Sequence, residues 1–127
     1  MQLILSRTVF ETVVIAALAE LPPDLQTAVN NVEVLIASWP TLDDVQRAGV
    51  PAGHTLLGLY NGIPLTKRTH AYNLVAPDTI TLYQGPIERA AGGDPERIRR
   101  QVRRTVLHEM AHHFGISDAR LHELGAY

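Results

Sequence analysis

The sequence predicts an α+β domain in which a small twisted mixed sheet packs on helices, with one long helix in the C-terminal half. Three observations carry this expectation. Asn61-Gly62 separates two apolar runs, and that pair is preferred in two-residue hairpin turns because both central positions need positive φ. Val32 to Ala37 and Thr79 to Tyr83 alternate with the period of two that marks a strand with one buried face. Asp94-Pro95-Glu96 supplies an N-cap acceptor, a proline at the first helical position and an acid in the first turn, so a helix should start there.

Taken in order, the chain opens on an amphipathic helix. Phe10, Val13, Val14, Ala17, Leu18 and Leu21 recur at helical spacing, Thr8-x-x-Glu11 reads as a capping box, and Pro22-Pro23 should end the helix. A short helical turn from Asp24 to about Val29 is expected next, then the strand from Val32 to Ala37, closed by Trp39-Pro40. Thr41-x-x-Asp44 opens a short helix toward Arg47. Leu56 to Tyr60 and Ile63 to Lys67 form the two arms of the hairpin. Pro64 has no N–H for a ladder, which assigns its arm to an edge. The strand from Thr79 to Tyr83 stops at Gly85-Pro86, and Gly92-Gly93 breaks the chain again. The long helix should run to Phe114 and end at Gly115, which accommodates the left-handed C′ conformation, before a last helix of about Asp118 to Leu124.

Bulk properties fit a single domain over residues 1–127, with 46% hydrophobic and 19% charged residues as in an ordinary globular chain. A net charge of −2 exerts no overall pull on nucleic acid or acidic membranes, and no apolar run approaches a membrane span. Ala17-Leu18-Ala19 imitates a signal-peptidase site. The apolar stretch before it is short, however, and follows Glu11 with Arg7 the only nearby basic residue, so a core helix and a cytoplasmic protein are expected. The absence of cysteine excludes disulfides, a cysteine nucleophile and thiolate metal sites, which leaves His, Asp and Glu as metal donors.

The chemistry is concentrated at the end of the long helix, in His108-Glu109-Met110-Ala111-His112. Residues four apart lie about 40° apart around a helix, so both imidazoles project from one face as two ligands on one rigid element. Glu109 sits about 100° round, where it reaches a water on the metal without replacing that water. The continuation through Gly115 and Asp118 makes the pattern HExxHxxGxxD, whose chance expectation per chain is roughly 10⁻⁴ or below, so it is read as a site. Gly115 lets the backbone leave the helix abruptly and carry the residue three positions on toward the metal.

This pattern resembles the metzincin signature in the variant with an aspartate third ligand, as in snapalysin-like peptidases. The whole chain is also similar to the small bacterial zincin-like family called minimal metallopeptidases, through Leu56-Leu57-Gly58-Leu59-Tyr60, Thr81-Leu82-Tyr83 and Thr105-Val106-Leu107-His108-Glu109. The resemblance implies a zincin-like fold and one Zn²⁺ per chain held by His108, His112 and Asp118. Glu109 would be the catalytic base, and the substrate a peptide or protein. One departure stands out: metzincins carry a Met-turn, but the only methionines here are Met1 and Met110, so the floor of the site should be built otherwise.

Other readings accompany these assignments. Asp118 also stands where an N-cap of the last helix would stand. His113, about 100° from His112, is expected to pack beside the site, with His54, His70 and His122 as reserve ligands. Arg97, Arg99, Arg100, Arg103 and Arg104 invite a nucleic-acid reading, against which a solvated helix surface is expected. Tyr60 and Tyr83 could line a cleft, against which a place in the core or on the sheet surface is expected. The strand from Thr79 to Tyr83 is expected at a sheet edge, pairing with an extended substrate. The alternative to a peptidase is a zinc-binding, non-proteolytic interaction or chaperone-like domain.

Overall fold

The computed structural model describes residues 2–51, 53–62 and 78–125, with His112 described by its backbone alone. Among these residues six helices and three strands follow in the order α1 (Arg7–Ala19), α2 (Pro23–Asn30), β1 (Glu33–Ala37), α3 (Leu42–Ala48), β2 (Gly58–Asn61), β3 (Thr79–Tyr83), α4 (Gln84–Ala90), α5 (Pro95–Phe114) and α6 (Asp118–Glu123). The sheet is mixed, with β3 in the centre, β1 parallel to it and β2 antiparallel. This is the expected α+β arrangement of a small mixed sheet packed on helices.

The core lies between the sheet, α1 and α5. Ile98, Val102, Val106 and Met110 recur every four residues along α5 and are fully buried against α1 and the sheet. Removing each from water contributes roughly 1.5–3 kcal/mol, which offsets part of the entropy cost of ordering a long polar helix. The ends of α5 follow local chemistry closely. Asp94 accepts from the Arg97 N–H, Pro95 occupies the first turn, and Gly115 ends the helix at φ 67°, ψ 29°, where a side chain would be strained.

Several expectations are corrected. Ser6, not Thr8, caps α1 by accepting from the Val9 N–H, because the preceding segment is already fixed elsewhere. Glu88, buried on α4, accepts from the N–H groups of Ile4 and Leu5 and from the Gln84 amide, so the chain enters α1 one residue after this anchor. Arg7 then reaches Gln84, the Ile36 carbonyl and Ser38, tying α1 to the sheet. The helix ends at Ala19, ahead of the two prolines.

Gly85-Pro86 does not merely stop β3. Both residues sit in the first turn of α4, where the missing proline N–H has no intrahelical partner to lose. The strand from Thr79 to Tyr83 is central rather than at an edge, since hydrogen bonds to β1 and β2 occupy both its sides. The Thr41/Asp44 capping box is present at α3, and a hydrogen bond from the Thr41 backbone is the main reason the Asp44 carboxyl lies below its usual range. The second hairpin arm, Ile63 to Lys67 with Pro64, and also His70, lie outside the described residues.

Candidate functional site

The last turns of α5 are held from beneath by the buried Val106, Leu107 and Met110, which set the helix rotation. That rotation leaves His108 and Glu109 half-buried toward β2, and both line a cleft of about 280 Å³ together with Leu56, Gly58, Arg104 and Thr105. A larger, mainly apolar cavity of about 560 Å³ adjoins it, sharing Thr55, Leu56 and Leu57, with the Arg89 guanidinium above the Trp39 ring at its rim.

The side of β2 that faces away from β3 meets the helix here. Tyr83 donates its N–H to the Leu57 carbonyl, and Leu59 lies opposite Thr81, so these alternate residues face β3 with their backbone groups. Gly58 and Tyr60 therefore turn theirs outward, and the Tyr60 N–H donates to Glu109 Oε1 at 3.0 Å. A charge-assisted bond of this kind orients the carboxylate before any ligand arrives. Gly58 is required by the close approach: a Cβ there would lie 2.8 Å from Thr105 Cγ2 and 3.7 Å from Glu109 Cγ.

Tyr60 is braced in turn. Its ring stacks on His113 with centroids 3.7 Å apart and meets Phe114 edge-on at 6.0 Å, and its hydroxyl donates to the buried Asp78 at 2.7 Å. The expected packing role of His113 is thus realised against the residue that holds Glu109. Tyr83 is also buried; loss of solvent first, and then the hydrogen bond to Asp44, push its phenol far above the usual range, so it stays neutral.

The Tyr60–Asp78 bond yields a stability expectation. Tyr60→Phe removes a hydrogen bond to a buried carboxylate and should cost about 1.5–3 kcal/mol, while the backbone bond to Glu109 persists. Urea unfolding of both proteins measures this, and a change below ~0.5 kcal/mol would mean the bond adds nothing to the fold.

Asp118 is exposed at the first position of α6. Its alternative role as N-cap is corrected, since Ser117 holds that position and accepts from the Arg120 N–H at 3.1 Å. The His112 side chain lies outside the description, and among the described residues no three metal donors are gathered. His54 and His122 are exposed. By donor type the residues fit zinc: two histidines four apart on one helix, and a carboxylate just past the left-handed turn at Gly115. The sequence offers Tyr60 only as a possible cleft residue, with core or sheet surface preferred, and gives Gly58 no role of its own. The only available signal was their place in an apolar run beside a turn, which does not reveal what faces them.

A helix carrying HExxH at its C-terminal end and packed against a small mixed sheet is the arrangement expected of the zincin class. A model of the zincin-like metallopeptidase family matches residues 29–126, and the chain belongs to that family. It is also similar to a solved structure, a conserved hypothetical protein from T. thermophilus. The two share 25% identity over 87% of this chain and 94% of that one, with a TM-score of 0.54. No curated protein matches the chain. Among the described residues no helix is long and apolar enough to cross a membrane.

Proposed function

We propose that the protein is a zinc-dependent peptide hydrolase, with His108, His112 and Asp118 holding the metal and Glu109 as the base. The observation that carries this reading is the position of Glu109, oriented by the Tyr60 N–H in the cleft that His108 lines. A domain whose zinc served only structure or interaction would have no use for a carboxylate held there. When bound, zinc supplies a Lewis acid that lowers the pKa of water and polarises a carbonyl.

The chain's own residues do the rest. Glu109 takes the proton of the attacking water and passes it to the leaving amine. The substrate backbone pairs with the outward N–H and C=O of Gly58, the β2 edge taking the role first assigned to β3. A substrate side chain enters the apolar cavity beside Leu56 and Leu57.

The zinc-loaded protein should cut an unstructured protein substrate, lose that activity to a chelator and regain it on zinc addition. Tight zinc binding without cleavage of any of a panel of unfolded substrates would instead favour the interaction-domain reading.

A further inference from the structure

Arg97, Arg100 and Arg104 lie on the same side of α5 as His108, within about 80° of arc around the helix. All three arginines are exposed. Arg99 pairs with Glu20 and Glu96, and Arg103 donates to the Leu124 carbonyl at 2.6 Å, so both of these are tied to the fold. Among the described residues neither Arg97 nor Arg100 forms an ion pair. The stripe lines a groove of about 370 Å³ to which no described carboxylate contributes. Gln101 and Arg104 line both this groove and the cleft of His108 and Glu109, so the two adjoin along α5. In a chain with 13 acidic and 11 basic residues, this concentration of positive charge is local to the approach to the site.

We infer that the site acts on peptide chains carrying aspartate or glutamate along the segment that lies over this stripe. The inference rests on the peptide-hydrolase reading and specifies its substrate class. Guanidinium groups bind carboxylates through paired N–H donors, and a row of them beside a cleft draws in an acidic chain. Along the helix axis Arg104, Arg100 and Arg97 stand roughly 6, 12 and 17 Å from His108 at 1.5 Å per residue. An extended peptide advances about 3.3 Å per residue, which places the acidic residues about two, four and five positions from the bond that is cut. A peptide is favoured over a nucleic acid because the groove adjoins a cleft lined by Glu109 and by Gly58 of β2, whose backbone groups suit a peptide chain.

The test uses fluorescently labelled peptides with glutamate at those three positions, and glutamine counterparts, titrated against zinc-loaded Glu109→Gln protein so that no turnover intervenes. The acidic peptide should bind about tenfold more tightly in low salt, and the advantage should collapse as salt is raised. Arg97→Glu/Arg100→Glu should abolish the advantage. Arg97→Gln/Arg100→Gln should reduce it, with unfolding temperatures reported for each variant. Equal binding of the two peptides, an advantage indifferent to both double variants, or tighter binding of a single-stranded RNA oligonucleotide overturns the inference. Failure of the hydrolase reading looks different: arginine-dependent acidic preference with no cleavage of the acidic peptide by the zinc-loaded wild type.

Discussion

Glu109→Gln should lower peptide hydrolysis by roughly 10²-fold or more while leaving zinc bound. Glutamine keeps the side-chain shape and retains an oxygen to accept from the Tyr60 N–H, so the hydrogen bond at 3.0 Å need not be lost. It cannot take a proton from water, and the cost should therefore fall on kcat rather than on binding. The measurement is turnover of a peptide substrate and metal content on the same preparation. Undiminished turnover with full zinc would show that another group is the base. Zinc lost together with activity would show that Glu109 acts as a ligand, and the mechanism proposed above would then be wrong.

The second large effect is on the metal. Wild type should hold about one zinc per chain, and His108→Ala or His112→Ala should remove it or weaken it by several orders of magnitude. Asp118→Asn should weaken zinc by about tenfold or more, since an amide brings no negative charge to a divalent ion. Because Ser117 is the cap of α6, the two roles first weighed for Asp118 separate cleanly. Ser117→Ala should cost about 1 kcal/mol of stability and leave zinc affinity unchanged. Competitive zinc titration of the four variants beside wild type decides these points. Equal affinity in wild type and Asp118→Asn would remove Asp118 from the site, and unchanged affinity in both histidine variants would remove the site altogether.

Where chemistry is local, the sequence alone determined the outcome. The Asp94 cap, Pro95, Gly115 and the Thr41/Asp44 box each act within one turn of the residue concerned, so α5 and α3 were legible to within a residue of their ends. The motif was legible for the same reason, because helical spacing alone puts His108 and His112 on one face. The start of α1 was not. Thr8-x-x-Glu11 is a sound local signal, but Glu88, more than 80 residues away, captures the N–H groups of Ile4 and Leu5 and makes Ser6 the cap.

Strand order was likewise beyond local reading. The alternation in Thr79 to Tyr83 marks a buried face equally in an edge and a central strand, and only pairing with both β1 and β2 places it in the middle. The same pairing turns Gly58 and Tyr60 outward onto Glu109, which no spacing within the segment encodes. Helix caps and faces follow from neighbours in the chain. The orientation of Glu109, the outward turn of Gly58 and Tyr60 and the pairing of Arg99 with Glu20 follow from partners distant in sequence, and tertiary packing alone brings those together.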